Sequence, residues 1–282
     1  MEKTGSVNKL KKKTYTIFGH TGFIGSFFRN KLFKEKLILP KKGQLIFKKN
    51  LGHIIYCIGS DDWLSDSYNS YYANLGYIPE IINKNKFESF TFLSSTRLYR
   101  NLKKTVEDSS LIINPTNFDN YYNIKKICAE SFLLSQKNKK IKIIRLANIY
   151  GFSPNSTLVV PTLIMNAINK KKITILINKK SSKDFLSIED AFSVILKIVK
   201  TGKKNLYNVG SGKNTTLKQI SQKISLLTNC KVIYRNQKKI VKEPVINISK
   251  IKKEFKFKPS SSLIYDLPNI IQKYKILKHD LR

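Results

Sequence analysis

The stretch YTIFGHTGFIGSFFRN, residues 15–30, constrains this chain more than any other. An apolar strand-like run ends at Gly19, and Gly22 and Gly25 follow at three-residue intervals as a helical pattern opens. Three glycines at that junction cost conformational entropy that a plain strand-to-helix turn avoids, so a ligand is expected there. Gly19 permits the sharp turn, Gly22 lets the backbone approach a phosphate, and Gly25 lets the helix pack on the strand. The helix N-terminus adds amide donors and positive potential. With Thr21, Phe23 and Ile24 between and beside them, these glycines are the candidate site for the pyrophosphate of a dinucleotide.

Beyond the turn, short apolar runs alternate with longer stretches of helical spacing. Strands are predicted over 15–18, 53–59, 89–95 and 141–147, and helices over 22–35, 72–83 and 121–136. The alternation predicts an α/β fold, a doubly wound parallel sheet with helices on both faces. No internal repeat or proline-rich linker marks a boundary. We therefore divide the chain by pattern into a basic tail at 1–13, a dinucleotide-binding domain at 14–152 whose sheet is completed by parts of 183–210, and a smaller C-terminal substrate lobe made of 153–182 and 211–282.

Length and composition narrow the class. With 282 residues, 41% of them apolar, the chain can bury a substantial core without disulfides or metals. Cys57, Cys128 and Cys230 are widely spaced and form no CxxC pair, so neither a disulfide framework nor a metal site is expected. No apolar run reaches the roughly 18 residues that span a bilayer, and a cytoplasmic protein is expected. The formal charge of +35 invites an RNA-binding reading. Against it, only six of the 53 basic residues are arginine, and the lysines are scattered rather than gathered in one block. Nucleic acid is therefore not the expected partner.

The GxxGxxG spacing of Gly19, Gly22 and Gly25 resembles the short-chain dehydrogenase/reductase superfamily, specifically its extended branch, the NAD-dependent epimerase/dehydratase family of sugar-nucleotide enzymes. The resemblance runs from about residue 14 to 272. It implies a Rossmann sheet, a nicotinamide cofactor, a nucleotide-sugar substrate, a role in polysaccharide synthesis and a homodimer. HIIYCIGS is similar to the family strand that passes beneath the adenine and ribose, with Gly59 at its small position. At the end of the second strand, KLILPKK offers Lys41 and Lys42 and no acid, which favours NADP over NAD.

FLSSTRLY matches the family's serine four residues before a tyrosine, and makes Ser95 the partner of the substrate hydroxyl. YNIKKICAE is similar to the family's YxxxKxxxE and gives Tyr122 and Lys126, with Glu130 one turn on; Tyr121 with Lys125 also satisfies YxxxK but lacks the later glutamate. Residues four apart share a helix face, so the ammonium can stand near the phenol and help turn a group of pKa near 10 into a base. Tyr122 and Lys126 also count among the cofactor contacts.

The family's 4,6-dehydratases carry Asp and Glu after the active-site hydroxyl residue, where this chain has Thr96 and Arg97, so dehydration is disfavoured. Reversible oxidation at a ring carbon remains, as C4 epimerisation or as reduction of a 4-keto sugar; reduction of a non-sugar carbonyl is a further alternative. Arg100 replaces the family's glycine and Phe152 its proline. RLANIYG resembles the family's RxxNVYG and makes Asn148 a substrate contact, joined by Thr96. KDFLSIEDA is similar to RDFIHVDDVA, so Lys183 is expected to face the diphosphate, with Asp184 and Asp190 either fixing loops or touching ligand. NISKIKKEFKFKP resembles a segment that in the family closes the substrate lobe.

Overall fold

The structure, a computed structural model, describes residues 12–46, 48–59, 67–154, 158–235, 237–238, 240–241 and 243–280. Most of the expected basic tail lies outside the described residues.

The chain opens with β1 (Thr14–Phe18), α1 (Phe23–Lys31), β2 (Lys36–Ile38) and β3 (His53–Tyr56). Helices α2 (Ser67–Tyr71) and α3 (Tyr77–Lys84), strand β4 (Ser89–Ser95), helix α4 (Tyr121–Ser135), strand β5 (Ile141–Leu146) and strand β6 (Asn148–Tyr150) follow. The second half holds α5 (Val159–Lys170), β7 (Lys172–Ile175), β8 (Ser182–Ser187), α6 (Ile188–Thr201) and β9 (Leu206–Val209). It continues with β10 (Asn214–Thr216), α7 (Leu217–Thr228), β11 (Lys231–Tyr234), α8 (Ser249–Phe255) and α9 (Leu263–Asp280).

Six strands form one parallel sheet in the order β2-β1-β3-β4-β5-β9. The strands are continuous apolar runs because both faces are covered. On one face Phe28, Ile195 and Ile198 pack with Tyr15 and Ile144; on the other Ile78, Ile81, Ala129 and Leu133 pack with Phe90 and Phe92. The order in which strands are added reverses at the β1–β3 junction, and the crevice beyond the carboxyl ends of these parallel strands is where such sheets receive ligands.

The parts of 183–210 divide. β9 completes the main sheet beside β5. β8 instead pairs with β6 in parallel and β10 in antiparallel. A further core gathers Ile164, Ile173, Ile220, Ile224, Leu267 and Ile271 from α5, β7, α7 and α9. One stretch departs from the expected lobe of 211–282. Ile246, Ile248, Ile251 and Phe257 pack in the core of the main sheet, and Lys250 Nζ donates to the Leu206 carbonyl at 2.9 Å. The NISKIKKEF segment thus closes the edge of the main sheet, because its apolar face meets β9.

The helix expected over 72–83 is not continuous. A π-helical turn at Tyr72–Gly76 joins α2 to α3. The buried Tyr56 hydroxyl donates to the Ala73 carbonyl at 2.7 Å, taking an acceptor within that turn.

Candidate active site

Each glycine of the turn has its own reason. Gly19 has φ +81°, and a Cβ there would stand 3.0 Å from the Cys57 carbonyl carbon. A Cβ on Gly25 would stand 2.1 Å from the Gly19 oxygen, so the approach of α1 to the turn requires glycine. Gly22 is different. Its φ is −73°, its nearest neighbour to a Cβ would be at an ordinary 3.5 Å, and no side chain caps the helix it begins. Among the described residues, nothing demands glycine there.

A cavity of about 420 Å³ opens over the turn, lined by Gly19, Thr21, Gly22, Lys41, Lys42 and Gly59, with Ala73 and Tyr77 on its far side. It adjoins a second, of about 320 Å³, and the two share Gly22, Cys57, Ile58 and Gly59. Phe23, Ile24, Gly25, Ser95, Tyr122, Lys126 and Asn148 line the second. A third, of about 270 Å³, shares Ser95, Tyr122 and Asn148 and adds Thr96, Arg97, Arg100, Lys183 and Glu243. Ser95, Tyr122, Lys126, Thr96, Asn148 and Lys183 thus line the same run of adjoining cavities as Gly19, Thr21, Gly22, Phe23, Ile24, Gly25, Lys41 and Gly59, at the carboxyl ends of the strands.

Ser95 ends β4, and its hydroxyl accepts from the Arg97 backbone N–H at 3.1 Å. The hydroxyl proton remains to donate. Tyr122 and Lys126 lie in the first two turns of α4. Lys126 Nζ is 6.0 Å from the Tyr122 ring centroid, 4.7 Å from that of Phe92, and donates to the Leu93 carbonyl at 3.0 Å. Burial pushes its ammonium down from 10.5 to about 8, against the opposing pull of Glu130. The alternative pair turns elsewhere. Lys125 Nζ bonds Ser70 Oγ and lies 4.2 Å from the Tyr121 ring, and neither residue lines the three cavities.

The expected diphosphate contact Lys183 is engaged by an acid that nothing in the sequence singled out. Glu243, buried in a loop before α8, holds Lys183 Nζ at 3.3 Å and Arg100 at 3.6 Å, and accepts from Asn148 Nδ2 at 3.4 Å. Its only sequence signal is an acidic residue in a strongly basic stretch. Asn148 also donates to the Asp184 carbonyl at 3.0 Å, tying β6 to β8. Thr96 Oγ1 donates to the Leu146 carbonyl at 3.4 Å. Asp184 and Asp190 fix loops. Asp184 accepts from the Ser211 and Gly212 backbone, and Asp190 accepts from Ser187 and from the Ser260 backbone.

Fold and site together define a dinucleotide-binding α/β protein with a serine, a tyrosine and a lysine gathered where one groove meets a second cavity. The NAD dependent epimerase/dehydratase family model matches residues 46–210, more than half of the chain, and the chain belongs to that family. The UDP-glucose epimerase YtcB of Bacillus subtilis strain 168, itself described as uncharacterized, is 25% identical over 294 aligned residues that take in 93% of this chain and 90% of that protein. An epimerase of Methanothermobacter thermautotrophicus shares the fold with a TM-score of 0.78 at 15% identity, covering 95% of this chain and 94% of its own. The UDP-N-acetylglucosamine 4-epimerase of Methanobrevibacter ruminantium, solved with UDP-N-acetylmuramic acid, gives 0.77 at 18% identity, with 95% and 100% covered. Among the described residues no helix is long and apolar enough to cross a membrane.

Proposed function

We propose that this chain is a nicotinamide-dinucleotide-dependent enzyme acting on a nucleotide-activated sugar, by C4 epimerisation or by reduction of a 4-keto form, through Ser95, Tyr122 and Lys126. The observation that carries the reading is that these three side chains, from β4 and α4, line a cavity that joins the glycine turn to the Thr96, Asn148 and Lys183 cavity. Family membership supports it.

The residues fit the cofactor. Gly22 is a glycine without an internal reason, at the N-terminus of a nine-residue helix and at the junction of two cavities. A ligand that needs close backbone approach supplies that reason. Lys41 and Lys42, exposed beside the larger cavity, are positioned to pair with a 2′-phosphate and support NADP over NAD. When bound, the nicotinamide takes up and returns a hydride.

The chain's own groups handle the proton. Ser95 donates to the oxygen of the reacting carbon and orients it. Tyr122 accepts the hydroxyl proton in oxidation and returns it in reduction. Lys126, with a pKa of about 8, is mostly protonated at neutral pH, and its charge lowers the cost of the phenolate.

The test is incubation with a panel of nucleotide sugars, 4-keto forms included, and NAD(H) or NADP(H). Product without net cofactor consumption identifies an epimerase, and stoichiometric consumption a reductase. Absence of turnover with every sugar, alongside turnover of a simple ketone, overturns the substrate class.

A further inference from the structure

Arg97 lines the same cavity as Ser95 and Tyr122, and the reaction proposed above leaves it unused. Its position can be read from the following contacts. Its backbone N–H donates to Ser95 Oγ at 3.1 Å, and its Nη2 donates to the Asp119 carbonyl at 3.0 Å, just before α4. Its guanidinium carbon lies 5.3 Å from the centroid of the Tyr122 ring. That is closer than Lys126, at 6.0 Å.

From this geometry we infer that Arg97 is a second positioning cation for Tyr122, holding its phenol below the ordinary tyrosine range jointly with Lys126. The inference rests on the reading of Tyr122 as the base. A cation at the face of a phenol favours the ring, and it favours the phenolate more strongly because a full charge then faces a full charge. Arginine suits the position because a guanidinium stays charged when partly buried, whereas Lys126 titrates near pH 8. Above that pH, Arg97 is the charge that still supports the phenolate.

Among the described residues, other charged groups at this end of the site have partners or positions of their own. Arg100 and Lys183 line the same cavity as Tyr122, but both are drawn toward Glu243. Asp119 and Glu243 act on Arg97 in the opposite sense to Arg100, which repels it. Lys125, on the neighbouring face of α4, is turned to Tyr121 and Ser70.

The experiment is an ultraviolet phenolate titration of cofactor-free protein, with the Tyr122→Phe curve subtracted to isolate Tyr122. In Arg97→Met the isolated titration should rise by about one pH unit, the effect of one charge at this distance in a partly screened site. Arg97→Lys should restore most of the shift. In turnover, the limb of the kcat profile set by Tyr122, the acid limb where it acts as base and the alkaline limb where it acts as acid, should move up by the same amount. If Arg97→Met does not fold, Arg97→Gln, which can still donate to the Asp119 carbonyl, is read instead. An unmoved titration in a folded variant overturns the inference, as does an activity loss equal at every pH. If Tyr122→Phe stays active while Arg97 still moves the titration, the assignment of the base fails and the electrostatic role of Arg97 stands.

Discussion

Glu130 and Arg145 meet as a buried bidentate pair behind the site. Arg145 Nη2 is 2.7 Å from Glu130 Oε2, Nε is 3.1 Å from both carboxylate oxygens, and the side chains are 5% and 4% exposed. Ser94 donates to the same carboxylate at 2.5 Å, and Arg145 donates onward to the Tyr99 hydroxyl and the Glu107 carbonyl. One network thus joins α4, which carries Tyr122 and Lys126, to the end of β4, which carries Ser95.

Glu130→Ala leaves an uncompensated buried guanidinium and should lower stability by about 3 to 5 kcal/mol. Replacing both partners with apolar residues of similar volume should cost less than that single change, because no orphaned charge remains. Urea unfolding of the two variants measures the difference, and equal costs would mean that the pair is not the source.

Two glycines of the turn separate fold from ligand. Gly25→Ala drives a methyl into the Gly19 carbonyl and should destabilise by about 1 to 3 kcal/mol. Gly22→Ala should change stability by less than about 1 kcal/mol. It should still weaken dinucleotide binding by about tenfold or more, a loss of about 1.4 kcal/mol. Thermal melts and calorimetric titration read the two effects separately.

Lys126→Met should abolish turnover and raise stability at neutral pH. The folded state holds this ammonium at about 8, below the ordinary 10.5, so its charge opposes folding at pH 7. The full cost is on the order of 3 kcal/mol. Between those two values the unfolded chain binds more protons than the folded one, and wild-type stability rises with pH through that window. The advantage of the methionine variant should therefore shrink above pH 8 and vanish near the unperturbed value, as unfolding curves across that range would reveal.

Glu243→Gln releases Lys183 and Arg100 from the carboxylate that now holds them. Nucleoside diphosphates should bind about three- to tenfold tighter, with a steeper dependence on salt, because the freed cations face the anion without an internal competitor. Calorimetry at two ionic strengths checks this, and unchanged affinity would place the diphosphate away from Lys183.

Legibility followed the range of the physical signal. Ser89–Ser95 is a strand over the residues expected, and α4 differs by a single residue at its end, because apolar periodicity and local propensity act within one element. The π-turn at Tyr72–Gly76 was invisible, since it sits beside a hydrogen bond from Tyr56 on another element. Glu243 was missed because its partners Arg100, Asn148 and Lys183 come from distant segments.

From the residues alone came the glycine turn, the parallel α/β order, and a tyrosine–lysine pair in either of two frames. Adjacent helical residues point about 100° apart, and within the sequence only Glu130, four residues after Lys126, favours Tyr122 with Lys126 over Tyr121 with Lys125. Packing of α4 on the sheet sets where each pair points. It turns Lys125 to Ser70 and Lys126 to the Leu93 carbonyl beside the cavity, and it brings Glu130 onto Arg145, contacts between distant segments that no local pattern encodes.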